Sequence, residues 1–175
     1  MGTLSSDVFT SLVSSLSDIN ASTLRRVCEA LFGAVDHEHR EFFSRRTLLL
    51  SADGMEVRFL GVRLDQSDLD LWMEIVHLAR RQIPGSPVTF SASDVLKALQ
   101  RRTGKRDHEW LREAMARLAG AGIEITLRRR HTWFLDGFLS YRVNERRGRY
   151  AVMPSPPLLE LFKHPVFHPD CGARQ

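Results

Sequence analysis

Residues 90–122 read FSASDVLKALQRRTGKRDHEWLREAMARLAGAG, and this stretch decides the fold. Ser91 stands where a helix cap belongs, Asp94 takes the capping-box position three residues on, and Phe90 can staple against Val95. The helix that follows is short. Val95, Leu96 and Leu99 form its apolar face, and the pattern fails at Arg101-Arg102-Thr103-Gly104. A second helix opens near Asp107 and buries Leu111, Ala114, Met115 and Leu118 at three- and four-residue intervals. His108, Arg112, Ala116 and Arg117 are left on its outer side, with Glu109 and Glu113 also facing outward, and the pattern stops at Gly120-Ala121-Gly122. Two helices joined by a tight basic turn are the pattern of a helix-turn-helix, in which the second helix fits the major groove of DNA.

Working outward, Leu69, Trp72, Val76, Ala79 and Ile83 form a helical stripe between Asp65 and Pro84-Gly85. Asp65, Asp68 and Asp70 crowd its first turn and Arg80 and Arg81 its last, the charge order that the helix dipole favours. Upstream, Thr47 to Leu50 and the alternating Met55, Val57 and Phe59 flank Asp53-Gly54, which predicts a hairpin. The first forty residues carry two further stripes, Val8, Phe9, Leu12, Val13 and Leu16, then Leu24, Val27, Cys28 and Leu31, with Ser6 and Ser22 as starts and Gly33 as a stop. These must bury against the main domain or a second copy of the chain. Downstream, Ile123, Ile125 and Leu127 alternate as a strand, as do Leu139, Tyr141 and Val143, and then Tyr150 and Val152. The charged turn Asn144-Glu145-Arg146-Arg147-Gly148 joins the last two, and Leu158 to Phe162 adds a short helix. The order predicts an α+β fold, a winged helix-turn-helix with an N-terminal helical extension: 1–44 the helical segment, 45–165 the winged-helix domain, 166–175 a flexible tail.

The chain has 175 residues, 43% hydrophobic and 26% charged, an ordinary globular mix. No apolar run approaches the roughly 20 residues of a membrane span, and the first residues lack the basic-then-apolar order of a secretory signal. Cys28 and Cys171 are too few for a disulfide framework, so a cytoplasmic protein is expected. The net charge of +4 is unevenly spread: residues 1–100 carry 10 Lys and Arg against 13 Asp and Glu, residues 101–175 carry 15 against 8. Nearly all the cations are arginine, whose planar fork suits phosphate oxygens and guanine edges. Nucleic acid is the partner this balance points to first, ahead of an acidic protein. The expected DNA contacts are Arg101, Arg102, Lys105 and Arg106 in the turn, His108, Arg112 and Arg117 on the reading helix, Arg128, Arg129 and Arg130 after the next strand, and Arg146, Arg147 and Arg149 at the hairpin tip. If about six touch phosphates, affinity falls with salt with a log–log slope of roughly −5.

Enzyme readings are weaker. His164, His168 and Cys171 have a metal-like spacing but lack a fourth ligand, and His37 and His39 lie in a polar linker. Gly120-Ala121-Gly122 follows a helix instead of opening one, so it is no phosphate loop. Cys28 sits in an apolar stripe, and no Ser/His/Asp grouping stands out. A non-enzymatic protein without cofactor or metal is expected.

Gly61-Val62-Arg63-Leu64 precedes the acidic helix start and Trp72, Gly85-Ser86-Pro87-Val88-Thr89-Phe90 leads into the short helix, and Met115-Ala116-Arg117-Leu118 and the basic turn before Tyr150-Ala151-Val152 follow. Together these motifs resemble the TrfA-type plasmid replication initiators: the second matches that family's Gly-x-Pro-Ile/Val-Thr-Phe entry to its short helix, and the last two fall at its reading helix and wing, so that the likeness covers residues 45–165. The resemblance implies a bacterial plasmid protein that binds repeated origin sites (iterons) on double-stranded DNA, forms a homodimer and brings in host replication proteins such as the helicase. Related initiators use two winged-helix domains, and the chain is expected to correspond to the first. A dimerisation module, or a winged-helix transcriptional repressor without initiator activity, is the alternative.

Overall fold

A computed structural model describes residues 6–36 and 38–167 of the chain. The side chains of Val8 and Phe9, with His37, His168 and Cys171, lie outside what it describes. Helix α1 (Ser6–Ser17) is followed by α2 (Ala21–Leu31), capped by Asn20, whose side chain accepts from the Thr23 N–H at 2.8 Å, and not by Ser22. Leu12, Leu16, Leu24, Val27 and Leu31 are buried in the same core as the rest of the chain, so the main domain covers both stripes.

Strand β1 (Phe42–Ala52) starts five residues before Thr47 and is irregular, with register shifts between Phe43 and Thr47 and between Leu48 and Leu50. It turns into β2 (Met55–Val62) through Asp53 and Gly54, at φ 52° and 78°. Two successive left-handed residues form the turn whose twist matches a hairpin, which is why Asp-Gly is placed there. Helix α3 (Gln66–Ala79) opens with a reciprocal capping box between Asp65 and Asp68. Its buried face is Leu71, Trp72, Ile75 and Val76. Ile83, expected on that stripe, is 78% exposed because the helix ends at Ala79 and the backbone has already turned toward Gly85.

Strand β3 (Val88–Ser91) leads into α4 (Ala92–Ala98), where the Ser91 hydroxyl accepts from the Asp94 N–H at 3.1 Å. Gln100 closes α4 at φ 57°: its own N–H reaches the Lys97 carbonyl and the Arg101 N–H reaches Leu96, the two bonds of a Schellman stop built without the usual glycine. Helix α5 (Lys105–Gly120) buries Leu111, Ala114, Met115 and Leu118, the expected face.

After α5 come β4 (Gly122–Leu127), a 3-10 turn at Arg128–Arg130, and β5 (Thr132–Asp136), a strand the sequence reading did not anticipate. Then β6 (Leu139–Asn144) and β7 (Arg149–Pro154) form the wing, and α6 (Pro156–Phe162) follows. Two antiparallel sheets result, in the orders β1-β2-β4-β5 and β3-β7-β6. The architecture is α+β, a winged helix-turn-helix of α3, α4, α5 and the β3-β7-β6 sheet, with the β4–β5 hairpin inserted between α5 and the wing to complete the sheet begun by β1 and β2. Beyond α6, Phe167 stacks on Phe162 with ring centroids 4.8 Å apart, so the expected tail is tied down at its start.

The two halves meet at an aromatic cluster of Phe32, Trp72, Phe138 and Phe162, with neighbouring ring centroids 5.0–6.3 Å apart. At Gly61, φ 123° and a space where a Cβ would lie 3.2 Å from the Gly120 carbonyl oxygen both demand glycine. Beside it lies a buried ionic cluster. Asp68, fully buried, takes Arg117 on one side (Nη2 to Oδ1 2.8 Å) and Arg40 on the other (Nη1 to Oδ2 3.2 Å). Arg40 also reaches Asp65 at 2.6 Å and donates to the Arg63 carbonyl at 2.8 Å.

Burial alone pushes the Asp65 carboxyl up, but donation from the Ser67 hydroxyl and the Asp68 N–H, together with Arg40, outweighs it and holds the group down at about 2, below its ordinary 3.8. A carboxyl depressed on folding contributes stability that is present above its unfolded value and lost as pH falls through its folded one. The protein is therefore expected to lose stability between about pH 4 and pH 2, and Arg40→Met to flatten that loss in urea unfolding followed by circular dichroism. Arg117→Met leaves Asp68 with the Asp65 N–H and, among the described residues, Arg40 as its one cationic partner, and should cost about 3 kcal/mol by the same measurement; a cost under about 0.5 kcal/mol would show that the pair is solvated.

Candidate nucleic-acid interface

The thirteen side chains expected to meet DNA do not form one surface. The structure sorts them into three places, and the sorting is decided by carboxylates. Arg117 is one of the buried pair with Asp68, with 11% of its side chain exposed, so it faces α3 and not a groove. The apolar inner stripe of α5 places Arg117 on the outer face by periodicity alone; its partner lies 49 residues away, which helical periodicity does not reveal.

The second place is the far end of the four-stranded sheet. Strand β4 pairs with β2 from Gly122 opposite Leu60 to Leu127 opposite Met55. Six residues carry the chain about 20 Å along the sheet from the end of α5. Arg128, Arg129 and Arg130 therefore sit beside the Asp53-Gly54 turn and the end of α1. Arg128 is paired with Glu56 and Arg130 with Asp18, while the Arg129 stem lies over Gly54.

The third place brings the rest together. The first turns of α5 face the wing tip, and the Arg112 Nη2 lies 3.4 Å from Glu145 Oε1. The tip is fixed at both shoulders: Asn144 accepts from the Arg147 N–H at 3.2 Å, and the Ala92 N–H at the start of α4 donates to the Gly148 carbonyl at 2.8 Å. In the turn before α5, the Arg101 guanidinium lies 3.5 Å from the Trp110 ring centroid and 3.6 Å from Asp107. That stacking holds one cation in place while leaving part of it exposed. His108 is half-buried, and Lys105 makes a loose 3.9 Å contact with Glu109. Arg102, Arg106, Arg146, Arg147 and Arg149 are exposed and, among the described residues, have no carboxylate partner. Arg142 on β6 shares that state and was absent from the expected set. Alternation with Tyr141 and Val143 would have placed it outward.

Three aromatic side chains back the wing. Phe90 and Tyr150 stack with centroids 5.4 Å apart, and Tyr141 lies 6.0 Å from Tyr150. Burial, and then Tyr141, push the Tyr150 phenol up, so it stays neutral beside Arg112. Elsewhere, His164 Nδ1 accepts from the Val166 N–H at 3.2 Å.

No protein-family model matches the chain, and no curated protein does. Solved structures do. A crystal structure of selenomethionine derivatives of domain 2 and domain 3 of RctB aligns with a TM-score of 0.59 at 9% identity, over 85% of this chain and 63% of that one. A crystal structure of RctB domains 2–3 gives a TM-score of 0.53 at 11% identity, over 82% and 59%. At such identities the likeness is one of fold, and the chain spans about three-fifths of the RctB structures it matches. Among the described residues no helix is long and apolar enough to cross a membrane.

Cys28 offers no competing chemistry. Burial, and then the neighbouring Glu29, push its thiol up to about 11. With Cys171→Ser in place, Cys28 is expected to react with iodoacetamide at pH 8 at least about ten-fold more slowly in the folded chain than in urea, because the thiolate is the nucleophile. Equal rates would show a thiol open to solvent.

Proposed function

We propose that the chain is a DNA-binding module of the replication-initiator kind, acting by binding and not by catalysis. The observation that carries this reading is the meeting of α5 and the wing tip at Arg112 and Glu145, with Arg102 and Arg106 at the entry to α5 and Arg146, Arg147 and Arg149 at the tip exposed and, among the described residues, without carboxylate partners. In this arrangement α5 enters the major groove, with Arg112 reaching base edges, while Arg102, Lys105, Arg106, Arg146, Arg147 and Arg149 hold the backbone. The fold is shared with domains of RctB, a replication initiator, and the sequence motifs resemble TrfA-type plasmid initiators. The partner we propose is therefore double-stranded DNA of a plasmid origin with repeated sites, in the cytoplasm of a bacterium. Recruitment of the host helicase belongs to the same reading.

A second reading is compatible with the first: the chain pairs with a copy of itself. It is favoured by β5, an edge strand whose outward residues Trp133 and Leu135 are 62% and 48% exposed. An uncovered edge with exposed apolar side chains is a template for another strand.

Retardation of an origin-like duplex across a salt series tests the first reading. Six phosphate contacts give a log–log slope of roughly −5, and Arg146→Gln with Arg147→Gln should flatten it by about 2 on any sequence. Arg112→Ala should relax preference at one base position; unchanged preference would remove α5 as the reader. Glu145→Gln, which deletes the carboxylate facing Arg112, should tighten binding about two- to five-fold at low salt. For the second reading, sedimentation equilibrium should find a dimer that Trp133→Glu dissociates. A monomer at all concentrations rules it out.

A further inference from the structure

Strand alternation gives the wing sheet two unlike faces. Val88 and Phe90 of β3, Tyr150 and Val152 of β7 and Leu139 of β6 are buried in the core. The opposite face carries Thr89, Ser140, Arg142, Asn144, Arg149 and Ala151, with Met153 exposed opposite Ser140. In the register Arg142 stands opposite Ala151, and Arg149 stands between Asn144 on one side and Ser91 on the other. Arg142 and Arg149 are thus diagonal neighbours on one face, about 7–8 Å apart at the backbone. Between and beside them the floor is Thr89 and Ala151, short side chains that leave an open groove. Strands β3, β6 and β7 contain no Asp or Glu, and among the described residues neither arginine has a carboxylate partner. The face is a shallow cationic groove without, among the described residues, a compensating carboxylate.

We propose that this outer face of the wing is a second phosphate-binding ledge, on which Arg142 and Arg149 grip the backbone of the same duplex where it runs past the wing. The inference rests on the DNA-binding reading and adds to it a residue, Arg142, and a surface. A DNA strand carries one phosphate per ~3.4 Å of helix axis, so the diagonal spans about two charges. The row of cations continues through the tip to Arg146 and Arg147, as a backbone track requires. Small uncharged residues between the guanidinium groups let a polyanion approach closely, and the three strands carry no carboxylate to repel it.

The test uses the full chain and duplex retardation from about 50 to 200 mM salt. Arg142→Gln should weaken binding about three- to ten-fold at low salt, equally on origin-like and unrelated duplexes, and lower the slope by about 1. Arg142→Lys keeps the charge and should keep the slope. Thr89→Glu, which sets a carboxylate on the floor, should weaken binding with both arginines present. If Arg142→Gln and Thr89→Glu bind like the native chain while the Arg146 and Arg147 variant weakens, the ledge is wrong and the DNA reading stands. If Arg142→Gln and Arg142→Lys lose equally, the side chain acts through packing and the ledge is wrong again; thermal unfolding midpoints will show that loss of fold. A native chain that retains no duplex even at low salt overturns both.

Discussion

The carboxylate of Asp68 is where the molecule is pinned. It is fully buried and shared by two guanidinium groups, one from the residue leading into β1 and one from the last turns of α5. Taking three charges out of water is costly, and an apolar replacement of the same shape often stabilises more. What the cluster supplies is geometry. Asp68 caps its own helix through the box with Asp65, so the start of α3, the entry to β1 and the roll of α5 about its axis are fixed by one group. That roll matters for the site. Arg112 and Arg117 are five residues apart, about 140° around the helix. Holding Arg117 inward against Asp68 turns Arg112 toward the wing, where Glu145 meets it.

Much of this was legible from local signals. The Asp53-Gly54 turn, the Ser91 cap, the inner face of α5 and the alternation of β2, β4 and β7 each depend on residues a few positions apart, and each appears as read. Strand β5 did not, for a physical reason. It is an edge strand with Trp133 and Leu135 facing solvent, so its pattern does not follow the rule of apolar residues inward. Ile83 fails in the other direction: the stripe continues in the sequence after the helix has ended. Arg117 is the instructive miss. Periodicity says which side of a helix a residue takes; it does not say that a carboxylate from a distant helix start will be buried there.

The site followed the same division. The balance of charge in residues 101–175 pointed to a polyanion, but a sum over sequence counts every arginine alike. In the fold they are of different kinds. Arg117 serves the core, and Arg128 and Arg130 hold down the turn beside the β1–β2 hairpin through Glu56 and Asp18. Arg101 is braced on Trp110, and Arg102, Arg106, Arg142, Arg146, Arg147 and Arg149 are, among the described residues, without a carboxylate partner. An ion pair at the surface contributes little to stability, yet it cancels a charge that would otherwise attract phosphate. The cations without partners therefore define the surface better than the total does.

The wing's attachment decides how that surface can act. At its base the Ser155 N–H donates to the Phe138 carbonyl at 2.7 Å and the Ser155 hydroxyl to Asp136 at 2.7 Å; at its tip Gly148 is held by the start of α4. Phe138 itself sits in the aromatic cluster with Trp72, so the base is tied to α3. The separation of α5 and wing is thus set by contacts within the fold. Under the proposed DNA-binding reading, a duplex that met both would have to supply the adjustment itself. Bending costs DNA an energy that depends on sequence, so such a pair of contacts would discriminate among sites even at base pairs that no side chain touches. The four-stranded sheet contributes to that spacing: it takes up the chain between α5 and the wing, and the insertion that looks like a detour braces the two against each other.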